Sequence, residues 1–234
     1  MIPVTSYSGI LYSLADGFHD RYRRTDVNIA GVLFARPHSA FTVNEILPHL
    51  DYWHHRSDYY TDFYCPGYIC DQWPLPMPGE PLAVVNRSKW YFDTGLFVEC
   101  LEQFERMTSW RYRGGCELLI SNVRCNPPCD RSKSVGFCKP TFDLSSAMII
   151  DLEKAFKEKA FRDVSQLSDD IFQFAKDLNE ATGDPCWELS DQLGFRVVKG
   201  SLKEFLLSLI PKSLRPEARK AFHFVAQDVR LEGG

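Results

Sequence analysis

Apolar positions along the chain repeat with two periods. Across residues 9–24, Leu11, Leu14, Phe18 and Tyr22 recur at spacings of three and four, which predicts an amphipathic helix. Residues 28–35 (NIAGVLFA) are almost all apolar, as in a buried strand, and Arg36-Pro37 ends the run because proline cannot donate to a central ladder. Thr42-Val43-Asn44-Glu45 then has the spacing of a capping box, with Phe41 and Ile46 placed as a hydrophobic staple. Helix is expected from there to about His55, with Pro48 kinking it or starting a new turn. Residues 61–70 (TDFYCPGYIC) read as a second strand, broken by Pro66-Gly67.

The following stretch, 71–90, is punctuated by Pro74, Pro76, Pro78, Gly79 and Pro81 and reads as an irregular surface excursion. Asp93 or Thr94 caps a helix whose stripe is Leu96, Phe97, Cys100, Leu101, Phe104 and Met107. After a turn at Gly114-Gly115 comes a third strand, 116–123 (CELLISNV). A second irregular stretch, 124–140, precedes a fourth strand at 144–152 (LSSAMIIDL). Residues 163–181 form an amphipathic helix through Val164, Leu167, Ile171, Phe174, Ala175 and Leu178, with Gly183 as its C-cap. A short edge strand is expected at 195–198. A second capping box, Ser201-Leu202-Lys203-Glu204, opens a helix stopped by Pro211, and a last helix is expected over 216–229.

This order predicts one α/β domain over residues 1–234, with a C-terminal helical appendage from 201 to 234. Strand–helix–strand units favour right-handed crossovers, so the expected sheet is mixed but mostly parallel and flanked by helices. A parallel βαβ half followed by α-β-β-α matches a thioredoxin-like sandwich in outline. Rossmann-like and other three-layer arrangements remain open.

Composition agrees with a globular domain. The chain has 234 residues, 44% hydrophobic and 25% charged, enough to bury a core without metals or disulfides. The net charge of −4 argues against a surface built for phosphate backbones, and the basic groups at 21–24 and at Arg106, Arg111 and Arg113 read as exposed helix faces. Residues 1–17 lack a positive leader, and no run of 18 apolar residues occurs, so a cytoplasmic location without membrane contact is expected. The eight cysteines are then expected as thiols or metal ligands rather than disulfides. Residues 50–68 (LDYWHHRSDYYTDFYCPGY) and 104–123 (FERMTSWRYRGGCELLISNV) resemble stretches of bacterial proteins, which implies no particular activity.

Three groups of residues are candidates for function. Cys116, Cys125, Cys129 and Cys138 fall within a short span and supply four thiols for a zinc ion, although only Cys125 and Cys129 have ligand-pair spacing. Asp51, His54, His55 and Asp62 form the densest polar cluster, and on a helix Asp51 and His55 share a face as a base–orienter pair would. Trp73, Met77 and Trp90 supply aromatic and Met side chains of the kind found at interface centres. The segment after the first strand, Pro37-His38-Ser39-Ala40-Phe41-Thr42, holds no cysteine, so a thioredoxin-like scaffold here lacks dithiol chemistry. Phosphate-loop, dinucleotide, nucleophile-elbow and zincin motifs are also missing. The reading favoured by the sequence is a non-catalytic binding or scaffold component of an intracellular multi-protein system, acting through a protein partner or as a homo-oligomer and needing no cofactor. An enzyme around residues 51–62 and a Cys-ligated zinc module are the alternatives.

Overall fold

The computed structural model describes residues 1–22, 26–108, 110–133, 138–144, 147–157, 161–180 and 227–228. Its strands are β1 (Ile2–Val4), β2 (Val27–Phe34), β3 (Thr61–Pro66), β4 (Tyr68–Cys70), β5 (Ala83–Val85), β6 (Ser88–Phe92), β7 (Glu117–Cys125), β8 (Pro140–Phe142), β9 (Met148–Asp151) and β10 (Gln227–Asp228). The helices are α1 (Tyr7–Asp16), α2 (Leu50–Arg56), α3 (Thr94–Met107), α4 (Leu152–Lys157) and α5 (Val164–Glu180). The larger sheet has the order β1-β3-β2-β7-β9-β10, with β8 also on β7, and β4-β6-β5 form a second sheet.

The larger sheet is mixed, not mostly parallel. β1–β3 and β2–β3 run parallel, whereas β2–β7, β7–β8, β7–β9 and β9–β10 run antiparallel. The helical crossover between β2 and β3 makes that pair parallel. β7 is entered at the opposite end: Glu117 lies beside Phe34, the last residue of β2, so the chain runs back along its partner.

Local sequence explains most boundaries. Ser6 caps α1 by accepting from the Gly9 N–H at 3.1 Å, and a π-helical turn over Gly17–Arg21 ends the helical run. The expected helix at 42–55 is divided. A π-turn at Thr42–Ile46 and a 3-10 turn at Leu47–His49 precede α2, with Pro48 inside the 3-10 turn, where its missing N–H costs no helical bond. Asp93 caps α3 through Leu96 N–H at 3.0 Å. Gly67, at φ +78, separates β3 from β4.

The excursion contains more order than its prolines suggest. Residues 83–92 form the β5–β6 hairpin, turned by Asn86 and Arg87 at φ 47 and 67. Left-handed residues at both turn positions suit the strand twist, but Asn-Arg lacks the glycine that would advertise such a turn. Of the stretch 124–140, residues 124 and 125 belong to β7 and Pro140 to β8, and the described residues between them, 126–133 and 138–139, form no helix or strand. The C-cap at Gly183, the strand at 195–198 and the helix opened at 201 lie outside the described residues. Of the last expected helix, only residues 227 and 228 are described, and they form β10 on β9. Among the described residues no helix is long and apolar enough to cross a membrane.

The alternation of β2 divides the interior into two cores. Ile29 and Leu33 join Leu50, Trp53, Phe63, Val164 and Ile171 in one cluster. Ala30, Val32 and Phe34 join Ile10, Leu14, Phe97 and Phe104 in the other. Side chains of α2, α4 and α5 therefore pack with one face of β2, and those of α1 and α3 with the other. Trp53 meets Phe63 edge-on at 4.7 Å, and Phe34 meets Phe104 at 5.5 Å. Gly31 makes the close approach of β3 workable: a Cβ there would lie 2.6 Å from Phe63 Cδ1.

Gly67→Ala is expected to destabilise the protein. The new Cβ would sit 2.5 Å from Phe97 Cβ on a residue held at φ +78. Backbone strain alone contributes about 1–3 kcal/mol. Urea denaturation should show a lower midpoint with an unchanged slope.

Candidate functional site

The strongest polar constellation is one that sequence spacing does not reveal. Asp62, the second residue of β3, lies beside Ala30 and is fully buried. Its Oδ1 and Oδ2 accept from Arg21 Nη1 and Nη2 at 3.0 and 2.9 Å. Oδ2 also accepts from Tyr22 Oη at 2.6 Å and Tyr64 Oη at 3.0 Å. A bidentate guanidinium and two phenols occupy the carboxylate. Burial opposes the charge on Arg21, but Asp62 more than offsets it and the guanidinium pKa moves upward. Burial, followed by the Asp62 charge, pushes both phenols well above their ordinary range, so they remain donors. The arrangement ties the turn after α1 to the sheet. Four donors meet the carboxylate, one at Oδ1 and three at Oδ2.

The polar segment on α2 is built separately. Asp51 and His55, one turn apart, have carboxylate and imidazole 3.7 Å apart, with both side chains largely in solvent. Asp51 Oδ1 also accepts from the Asn86 backbone N–H at 2.8 Å, fixing α2 to the hairpin turn. His54 is half-buried, and its Nδ1 donates to Met1 O at 2.7 Å. A carbonyl only accepts, so Nδ1 carries a proton, and in the neutral ring Nε2 then presents a lone pair. Burial is the main cause that lowers the His54 pKa. Asp62 does not join this group. Phe63 faces Trp53 of α2, so its neighbours Asp62 and Tyr64 point to the opposite face of the sheet. The structure thus brings Asp51 and His55 together, sets His54 beside them, and places Asp62 across the sheet.

The cysteines are divided in the same way. Cys116 lies in the core with Leu118 and Ile120, whereas Cys125, Cys129 and Cys138 lie in the other core. Cys125 and Cys138 are joined as a disulfide, with Cα atoms 5.9 Å apart, where β7 and β8 begin to pair. The expectation of thiols throughout is corrected at these two positions. Cys65, Cys70, Cys100, Cys116 and Cys129 are free and buried. Among the described residues no group of three or more His, Cys, Asp or Glu side chains is placed to hold a metal ion. Burial pushes the Cys100 thiol up to about 12 and the Cys116 thiol well above its ordinary range, so these behave as small apolar side chains.

The third candidate group lies on the excursion. Trp90, on the central strand of the small sheet, is buried at 2% exposure. Its ring lies 6.3 Å from that of Tyr68. Trp73 is partly buried against the same core, and Met77 is half-exposed. The exposed apolar side chains there are Leu75 at 41% and Val84 at 63%. Val84 sits opposite the exposed Lys89 on the outer face of the hairpin, and alternation along β5 was the signal that could have found it.

A last contact ties the loop after β7 to the turn after α1. His19 Nε2 bonds the Lys133 carbonyl at 2.8 Å, and Nδ1 bonds the Asp20 carboxylate. Arg131 donates to the Tyr22 carbonyl.

Two outcomes are expected from these contacts. Asp62→Ala leaves Arg21, Tyr22 and Tyr64 without their acceptor. The cost is about 3 kcal/mol, the lower end for a broken buried pair, because Arg21 is partly exposed. Chemical denaturation measures it. Both acceptors of His19 lack protons to give, so both ring nitrogens must carry one. The hydrogen bond to Asp20 is the main cause that raises the His19 pKa, followed by that to Lys133. The contribution to stability is fully present below about 6.5 and is lost as pH rises through the folded value. A ring-proton NMR titration should place the His19 midpoint above that of the unfolded chain.

Comparison of the chain with protein-family models, with curated proteins and with solved structures gives no match in any of the three.

Proposed function

We propose that the protein is a non-catalytic binding component and that the small sheet β4-β6-β5 carries its docking surface for a protein partner or a second copy. The observation that supports this most is the exposure of Val84 on the edge strand β5, with Leu75 exposed on the approach to it. An edge strand offers unpaired backbone groups, and apolar side chains beside it supply area to bury. Asp51 holds the hairpin turn through Asn86, so the surface is presented on a fixed support.

The scaffold reading favours a thioredoxin-like topology without its dithiol. The order β3-β2-β7-β9, with β2–β3 parallel and β7 and β9 antiparallel, and a helix after each of β2 and β9, supports it. The first strand-to-helix junction carries Ser39 and Thr42, joined by a 2.8 Å hydroxyl–hydroxyl bond, and no cysteine.

A second reading, an enzyme using His54 and the Asp51–His55 pair, rests on the unprotonated Nε2 of His54. It requires a substrate to come within reach of that nitrogen.

Native mass spectrometry with light scattering, on wild type and Val84→Glu, separates the two. The docking reading expects a complex or oligomer whose association weakens by about tenfold or more in Val84→Glu, with thermal stability kept, because a charge is driven into an apolar contact. A wild-type chain that stays monomeric and partnerless at every concentration overturns it. Loss of a turnover in His54→Gln, with association unchanged, would instead favour the enzyme.

A further inference from the structure

Several arginines of the described chain have acceptors. Arg21 holds Asp62, Arg56 holds Asp169, Arg106 holds Glu102, and Arg162 holds Asp163. Arg111 donates to the carbonyls of Glu105, Thr108 and Trp110. Arg36 is different. Its guanidinium lies 5.1 Å from the centre of the Phe97 ring and 5.5 Å from that of Tyr112. Its buried Nε has no hydrogen-bond partner, and among the described residues no carboxylate pairs with it. A partly buried donor left without an acceptor is costly, and a planar cation fixed by aromatic faces keeps its edge donors for something else.

The acids nearby are already engaged. Glu117 accepts from Trp110 Nε1 at 2.8 Å and from the Arg113 backbone N–H at 2.9 Å. Asp151, opposite Glu117 on β9, accepts from the Lys154 backbone N–H at 2.9 Å. The position also matters. Arg36 follows the last residues of β2, at the carboxyl end of the parallel strands, where open α/β sheets place their ligands. Phe92 packs on Phe97 at 5.5 Å, and the exposed His38 meets Phe92 at 6.4 Å, so an aromatic wall continues from the guanidinium toward solvent.

We propose that Arg36, held between Phe97 and Tyr112, anchors a binding site for the oxyanion of a small ligand, a phosphate or a carboxylate. The fork of the guanidinium meets two oxygens of such a group, and the aromatic wall borders the remainder of the molecule. This site does not depend on the docking surface at Val84, and either can fail alone.

The test follows the Arg36 Nε–Hε resonance of the wild-type chain, assigned by its loss in Arg36→Lys. Inorganic phosphate, acetate and chloride are titrated separately at matched ionic strength. A saturable shift with phosphate or acetate and none with chloride is expected. Phosphate alone assigns a phosphorylated ligand, and acetate alone a carboxylate. Affinity should fall about tenfold or more in Arg36→Gln with the melting temperature retained, the loss of one charge-assisted contact. Arg36→Lys, which keeps charge but not the fork, should fall between. Absence of a saturable shift with both oxyanions overturns the proposal, as does Arg36→Gln binding as tightly as wild type. Should Arg36→Gln fail to fold, the wild-type resonance decides by itself.

Discussion

Every residue of β2 is buried, and the strand is paired along both edges. Its backbone donors and acceptors are thereby satisfied in the ladders with β3 and β7, which makes such depth affordable in free energy. Its side chains then have no choice of environment: Ile29 and Leu33 enter one core and Ala30, Val32 and Phe34 the other. A slip of one residue would exchange the two sets and drive Phe34 into the space matched to Leu33. The aromatic contacts of Phe34 with Phe97, Phe104 and Trp110, and of Phe63 with Trp53, resist that slip from both sides.

The same alternation fixes where charge can be tolerated. Asp62 and Tyr64 follow the parity that takes them into the core with α1 and α3. A lone carboxylate there would be prohibitive. Arg21 and Tyr22 come from the turn that ends the α1 run, so the sequence supplies the cation and a donor from consecutive residues. The ion pair thus links two pieces far apart in sequence. The loop after β7 closes over the same turn through Arg131 and Lys133.

Much of the fold was legible in the sequence because its signals are local. The nearly all-apolar run of β2, the break at Pro66-Gly67, the Asp93 cap and the effect of Pro48 each depend on a few adjacent residues, and each is present. What escaped depends on contacts between distant residues. The direction of β7 follows from how α3 returns the chain, and β1 is three residues whose pairing with β3 decides its state. The 51–62 cluster was drawn from closeness in sequence, which puts Asp62 beside His55 but ignores the parity of β3. Cys116, just before β7, and Cys125, at its end, are close in sequence but lie in different cores. The disulfide between Cys125 and Cys138 needs the β7–β8 ladder to bring its halves together.

The two ends of the parallel strands are therefore unlike. At the starting end, four donors converge on Asp62, and Arg21 commits its fork to that carboxylate. At the finishing end, Arg36 rests on two rings with its Nε unmet, and the carboxylates near it are held by backbone and indole N–H groups. Both are arginines beside aromatic side chains, with equal intrinsic capacity for an ion pair. The difference lies in whether the chain supplies the partner. Where stability alone is at stake, a partly buried cation is normally given its anion, as Arg21 is. A cation that aromatic packing holds in place without an anion costs the folded state something that another carboxylate at that edge would have offset. A ligand that arrives after folding accounts for that expense, with the Phe97 and Tyr112 rings holding the guanidinium ready for it.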